Sequence, residues 1–380
     1  MKVGNYRLEL KKRRVLRPWQ AMLNAVMAIV AALVLFGFIF ILAGLNPIDA
    51  YQRIFSYAFF NQFGLPLTLN RFVFLLLCTY AFIIPFRAGL WNIGMTGQLY
   101  VGALAAYGVF YAFGVNQFNT PHPPAIILLP LAVLGAAVGG AFVGAIAGYL
   151  KGKYNTNEIV VTMMLNFMAF WFVSFMIKDG GIFMNAGGRG ESFELPDALH
   201  MPLLLDVPIT IFFALIAGIF LHYLFSRMRL GFEIRAYGQN PNAAAYAGIS
   251  RFRVPILVFV LGGILAGLAG YHYFGAVPGV YKIARNYAFF GDMAFYGIIC
   301  GLISQGNPLG AVPVAFLFGG LSVGGRFVQG ALGMSFGVDY ALLGVLMITL
   351  VAFQFFYRYK IVVVNINMEK ADVGVLGTKS

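Results

Sequence analysis

Apolar residues run along this chain in long blocks separated by short polar or basic segments. Ten blocks approach or reach about 17–25 residues, the length of a helix that crosses the hydrocarbon core of a bilayer. They lie at approximately 21–45, 67–86, 93–114, 125–150, 159–177, 208–226, 254–274, 290–304, 309–325 and 338–357, the second interrupted and the eighth short. Lipid offers a backbone no water to bond, so such segments must close their hydrogen bonds internally as helices. The pattern predicts an all-α polytopic membrane protein with about ten transmembrane helices. A basic N-terminus (1–20) precedes the membrane domain (21–357), and a C-terminal tail (358–380) follows it.

Composition agrees. Of 380 residues, 61% are hydrophobic and only 10% charged, with a mean hydropathy of +0.83, against about 25% charged in a soluble domain. The net charge of +13 raises nucleic acid as a partner, but seven basic residues precede the first apolar run, as in a segment held by anionic lipid. No nucleic-acid partner is expected. The first apolar run has 25 residues, too long for the roughly 7–15-residue core of a cleaved signal peptide. With the N-terminus inside, nineteen Lys and Arg fall on the cytoplasmic side and seven outside, which predicts both termini in the cytoplasm.

Two connections stand out. The outer loop 178–207 is rich in Gly and acids; it caps the pore, meets an external partner, or merely joins two spans. The inner loop 227–253 contains Asn240-Pro241, a helix start, then an Ala-rich stretch closed by Gly248. A short helix between two basic flanks has the shape of a docking element. Small residues recur at helix-packing spacing: Gly135, Gly139 or Gly140, Gly144 and Gly148 in the fourth span, Gly263 and Gly267 in the seventh, Gly297 and Gly301 in the eighth.

Catalytic chemistry is not legible. His122, His200, His222 and His272 are scattered, without acids at metal-ligand spacing, and Cys78 and Cys300 sit in apolar runs. No metal or cofactor is implied. The nearest approach to an ATP-binding P-loop fails, with Ala147 at its first Gly position and Tyr154 at its Ser/Thr position. Polar residues within spans carry more information, because each is costly unless it lines a cavity or has a partner. Asn92, Thr96 and Gln98 interrupt the third block among three glycines; Thr162 and Asn166 share one helix face, with Phe167 close to it. Asp292 stands at the start of the eighth block, and Arg285 is its candidate partner. These residues either line a path for a polar solute or bond only to neighbouring helices.

Four stretches then resemble a known family: FRAGLWNIGMTGQLYVGA at 86–103, NEIVVTMMLN at 157–166, GQNPNAAAYAGI at 238–249 and GDMAFYGIICGLISQGNPLGAV at 291–312. Together they resemble permease subunits of ATP-binding cassette (ABC) importers that carry branched-chain amino acids, ribose and nucleosides, the second stretch looking most like the nucleoside lineage. Met95-Thr96 departs from the small and acidic pair common there. The resemblance implies a type II importer fold with inverted repeats of helices 2–5 and 7–10, and a subunit that is not itself an enzyme. It also implies three partners: a cytoplasmic ATPase, a second, shorter permease and a substrate-binding lipoprotein. Residues 238–249 resemble the coupling helix, so Gly238, Asn240, Pro241, Ala243, Ala244, Ala245 and Gly248 are expected to meet the ATPase.

Overall fold

The structure, a computed structural model, describes residues 2–3, 6–12, 18–115, 122–178, 180–185, 190–284, 287–334 and 337–365. Two short strands, β1 (Lys2–Val3) and β2 (Tyr6–Lys12), lead into α1 (Pro18–Leu42), α2 (Pro47–Phe55), α3 (Gly64–Arg87), α4 (Met95–Ala112), α5 (Ala125–Tyr154) and α6 (Glu158–Ile177). A small hairpin of β3 (Leu203–Leu204) and β4 (Val207–Pro208) precedes α7 (Thr210–Arg227), α8 (Arg229–Gln239), α9 (Pro241–Tyr246) and α10 (Arg253–Tyr271). The chain ends in α11 (Tyr287–Ile303), α12 (Pro308–Ala331), α13 (Val338–Arg358) and β5 (Tyr359–Asn365). Each of the ten apolar blocks coincides with one helix: α1, α3 to α7 and α10 to α13. Among the described residues six helices are long and apolar enough to cross a membrane unaided. This is a polytopic all-α membrane protein.

Two compact units are present, Met1–Ala50 with Phe336–Ser380, and Tyr51–Ser335. In the first, α1 packs along α13. Ala28, Ala32, Phe36 and Phe40 are buried at four-residue spacing, as are Leu342, Leu346 and Leu350, while Val30, Val34 and Phe38 are exposed. One apolar stripe meets another and the remaining apolar face is left for lipid. The segments read as two separate tails are joined: β2 pairs antiparallel with β5, from Tyr6 opposite Asn365 to Lys12 opposite Tyr359. Strands that share a ladder lie on one side of a bilayer, so the chain between them crosses an even number of times.

In the second unit the contacts exchange between halves. α5 packs on α10 as α12 packs on α3, α4 on α10 as α11 on α3, and both α3–α10 and α4–α11 meet directly. Repeats of α3–α5 and α10–α12 related by a pseudo-two-fold axis give that pattern. α3 is the most enclosed apolar span (83% buried) and α6 the least (22%), so α6 turns much of its surface outward. α4 falls outside the six because of its polar residues, but it is almost wholly enclosed, and so meets protein rather than lipid.

The predicted glycine positions bring backbones together. A Cβ on Gly140 would stand 2.1 Å from the Gly263 oxygen, one on Gly144 2.1 Å from the Phe259 oxygen, and one on Gly267 2.1 Å from the Ala136 oxygen. Gly139 faces Ala105 on α4; Gly297 and Gly301 face Cys78 and Phe82 on α3.

The described residues of the acidic loop 178–207 are packed against the segment after α10. Ser192 N donates to the Ile283 oxygen (2.9 Å) and Leu195 N to the Tyr281 oxygen (2.9 Å). Lys282 pairs with Glu191 at 2.7 Å, and the His200 ring stacks on Tyr281 at 3.3 Å. Burial, helped by the Asp197 carboxylate, pushes the Tyr281 hydroxyl above its ordinary range. The Tyr107 hydroxyl of α4 donates to the Phe193 oxygen at 2.7 Å, seating the loop on that helix.

Overpacking a close helix contact costs about 1–3 kcal/mol. Gly140→Val is therefore expected to lower the thermal midpoint in detergent by several degrees, whereas Gly330→Ala, where a Cβ meets nothing within 4 Å, leaves it unchanged; fluorescence-detected thermal unfolding reads both.

Candidate functional site

The polar residues of the third block converge on the start of α4. α3 ends at Arg87 and α4 does not begin until Met95; the turn between them needs Gly89 at φ +72°. Asn92 in this break is fully buried. Its side chain and that of Gln98, one turn into α4, form a reciprocal amide pair: Asn92 Nδ2 donates to Gln98 Oε1 at 2.9 Å, and Gln98 Nε2 to Asn92 Oδ1 at 3.2 Å. Asn92 Nδ2 also reaches the Ala81 oxygen of α3 at 3.3 Å. The pair closes the break onto the helix on either side of it.

From α6, Asn166 completes the start of α4. Its Oδ1 accepts from Gly97 N at 2.7 Å, satisfying one of the open N–H groups of a helix N-terminus, while its Nδ2 donates to the Ile93 oxygen at 2.9 Å. Thr162, one turn earlier, bonds back to Glu158 O (2.7 Å) and packs so closely on Gly94 that a Cβ there would lie 2.8 Å from Thr162 Cβ. α6 itself starts on an Asn157 cap, whose side chain accepts from Ile159 N at 3.0 Å. The Lys151–Glu158 pair at 3.0 Å bridges it to the end of α5.

Residues 229–248 form two short helices instead of one. Asn240 ends α8 and caps α9, accepting from Asn242 N (3.0 Å) and Ala243 N (3.1 Å), and Pro241 takes the first helical position, where no N–H is needed. Gly248 at φ +83° stops the helix, with Ile249 N bonding back to Ala244 O at 3.0 Å. Ala244 is turned inward (4% exposed), whereas Tyr246 is 94% exposed and Pro241 and Ala243 are exposed beside it. Burial first, and then the Glu158 carboxylate, raises the Tyr237 hydroxyl of α8 above its ordinary range, against an opposing pull from Arg251.

α8 rests on the break. A Cβ on Gly238 would lie 2.4 Å from the Arg87 oxygen, and one on Gly89 would lie 3.2 Å from the Gly238 oxygen. Two glycines thus let α8 lie backbone to backbone across the turn that leads to Asn92. Arg87 fastens the same corner, donating from Nε to the Gly306 oxygen at 2.8 Å with its guanidinium 5.5 Å from the Phe225 ring centre.

Of the sequence-derived pathway residues, Asn92, Thr96, Gln98, Thr162 and Asn166 gather around the start of α4. The amides of Asn92, Gln98 and Asn166 are spent on protein groups. Phe167 stands apart, 58% exposed on the outer face of α6. The side chains of Asp292 and Arg285 lie outside the described residues. Sequence reading missed the Gly89–Gly238 contact and a second polar group, His272 with Asn70 and Thr210. A glycine needing positive φ beside a polar break was the available signal for the first. No motif marks the second.

A model of the branched-chain amino acid transport system / permease component family matches residues 65–351. The chain is 32% identical to the glucose ABC transporter permease protein TsgB13 of Haloferax volcanii, over 94% of each chain. It is 33% identical to the nucleoside ABC transporter permease protein NupB of Lactococcus lactis, over 83% of this chain and 84% of that one. Against the guanosine ABC transporter permease protein NupP of Bacillus subtilis identity is 30%, over 80% and 85%. No solved structure matches.

Leaving a buried polar group without its partner costs about 1–3 kcal/mol. Asn92→Leu is expected to destabilise by that amount through the stranded Gln98 amide, and Asn92→Leu/Gln98→Leu to recover part of it; a double-mutant cycle on detergent unfolding measures the coupling.

Proposed function

This chain belongs to the branched-chain amino acid transport permease family, and from that premise we propose that it takes up nucleosides by alternating access driven by a separate ATPase. An ABC permease of the sugar or nucleoside type is not an enzyme; it works with an ATPase and a substrate-binding protein. The observation that carries the coupling half is that α9 is exposed at its tip while α8, directly before it, is seated through Gly238 on Gly89. In this reading Asn240, Pro241, Ala243, Ala245 and Tyr246 meet the ATPase, Ala244 holds the helix to its own protein, and Gly248 ends it. ATP-driven displacement of α9 passes through the Gly238–Gly89 contact to Asn92 and Gln98, and so to α4.

Asn92, Gln98, Thr162 and Asn166 act in this scheme by setting the angle of α4, because their hydrogen-bonding groups are engaged within the protein. Solute passes between this chain and a second permease of the same family, with the open faces of α6 and α7 available to that partner. Residues 1–20 and 358–380 are cytoplasmic. The nucleoside assignment draws on the nucleoside and guanosine permeases among the relatives. A monosaccharide is the second reading, favoured by the glucose permease that matches over 94% of both chains. Uptake of labelled guanosine and glucose by cells carrying the whole transporter separates them: uptake of glucose alone overturns the nucleoside assignment.

Two variants test the coupling path. Ala243→Asp/Tyr246→Asp is expected to abolish co-purification of the ATPase. Gly238→Leu is expected to keep the ATPase bound but cut solute uptake at least tenfold, by about 1.4 kcal/mol or more. Full uptake by a correctly assembled Gly238→Leu transporter would sink the proposed path.

A further inference from the structure

A groove of about 580 Å³ between α5 and α7, in the larger unit, has no role in the scheme above. α7 packs chiefly on α8, α12 and α3, and α5 on α10, α4 and α6. The first turns of α5 and α7 therefore part, and Leu77 of α3 with Leu265 and Leu268 of α10 floors the gap. Small-molecule sites run from roughly 300 to 1,000 Å³. α5 lines the groove from Ala125, its first residue, to Leu134, about 13 Å at a rise of about 1.5 Å per residue. One leaflet's share of a hydrocarbon core about 30 Å thick is about 15 Å. The groove thus starts at the end of two spans and runs inward about as far as one acyl chain reaches.

Three observations fit it to hydrocarbon. First, its wall is apolar, and among the described residues no charged side chain lines it. The polar groups at its inner end are engaged with protein: the His272 ring lies 2.8 Å from the Thr210 hydroxyl and 3.0 Å from the Asn70 backbone oxygen, and the Tyr271 hydroxyl is sealed in. A polar solute would give up its water there without gaining a hydrogen bond. Second, the mouth opens sideways. Ile126 (81% exposed), Leu134 and Phe213 are both exposed and part of the lining, on two helices each long and apolar enough to cross a membrane. Lipid, not water, faces such a surface. Third, the adjoining turn is apolar. Met201 and Pro202 line the groove and lead into the β3–β4 hairpin, whose two-residue turn holds Leu205 at φ +51° and Asp206 at φ +61°. Such a turn favours Asn, Asp and Gly, so Leu205 is strained there, and it is also 89% exposed. With Leu203 and Leu204 exposed beside it, the hairpin extends the apolar surface of the mouth.

We propose that this groove holds one acyl chain of a bilayer phospholipid. The acyl chain enters between Ile126 and Phe213, lies along α5 and ends against Leu77 and Leu268, while its headgroup stays at the level of the β3–β4 hairpin. It fills a gap that no side chain of the protein closes. It also lies against Thr210 and His272, whose hydrogen bonds tie α7 and the end of α10 to α3. At about 100° per residue, Phe212, Ile216 and Ile219 point to another side of α7 than Phe213 and Ala217, so a bound lipid leaves that side for the second permease. The inference does not depend on which solute is carried.

The test places the purified full-length protein in phosphatidylcholine vesicles containing a phosphatidylcholine with a photoactivatable diazirine on one acyl chain. After irradiation, label is expected on Leu77 and Leu268 in the floor as well as on Val138, which is exposed on α5 outside the groove. Ala217→Trp fills the groove and is expected to cut floor labelling about tenfold or more, because a close-packed site has no room for a second occupant, while Val138 keeps its label. Leu129→Asn, which adds no bulk, is expected to lower floor labelling several-fold by setting an amide beside the acyl chain. Label on Val138 with none in the floor of the parent protein overturns the site. Equal floor labelling in the parent and in a monodisperse Ala217→Trp or Leu129→Asn protein overturns it too. Loss of floor labelling in the assembled transporter would give the groove to the second permease, and loss in excess guanosine or glucose would give it to the solute; either outcome removes the lipid.

Discussion

Backbone meets backbone where α5, α10 and α4 cross, and the rest of the larger unit depends on that contact. Within lipid, burying apolar side chains against a neighbouring helix brings little, because the acyl chains were already an apolar solvent. What remains is close van der Waals packing, which grows as the helix axes approach. Gly140 with Gly263, Gly144 with Phe259, and Gly102 and Gly270 with the facing backbones of α10 and α4 remove every Cβ that would hold the axes apart. α4 ends up enclosed by protein on most sides. Only in such an enclosure do Asn92, Gln98 and Asn166 survive at low cost, since each finds its partner in another part of the same chain.

That enclosure also explains how a break in a helix can be stable within a membrane protein. The turn between Arg87 and Met95 leaves backbone groups without helical partners, and lipid supplies none. The Asn166 side chain from α6 closes two of them, accepting from Gly97 N and donating to the Ile93 oxygen, while Asn92 and Gln98 satisfy each other. α8 lies on the same turn through Gly238, backbone against backbone, with no flexible side chain between them. A side chain at Gly238 would drive α8 off the turn, its Cβ only 2.4 Å from the Arg87 oxygen, whereas one at Gly89 would be strained chiefly by the positive φ.

Much of the fold was legible from one dimension. Runs such as 125–150 and 159–177 became α5 and α6 almost to the residue, and Asn157, Asn240, Pro241 and Gly248 took the cap positions their chemistry favours. The glycine spacing on α5 did mark a packing face. The site was legible only as a set of residues. Asn92, Thr96, Gln98, Thr162 and Asn166 stood out as polar groups in apolar runs, and they do gather. Their partners were invisible, because Gly97 and Asn166 are 69 positions apart. Phe167, placed beside Asn166 by helical spacing, faces away. Ala244 looked like its neighbours Ala243 and Ala245 and proved to be the inward one.

The sequence by itself determined where the ten apolar helices are, how several helices are capped, and that the chain crosses lipid many times. Those properties follow from segment length, hydropathy and capping, which act over a few consecutive residues and which lipid enforces by forbidding unpaired backbone. Tertiary structure alone decided which helix is central, which polar groups satisfy each other, that the two ends of the chain share one ladder, and that α5 and α7 part around an apolar groove. Those outcomes depend on contacts between residues far apart in the chain, and the energy of a polar group in a membrane is set by what lies across from it rather than by what precedes or follows it.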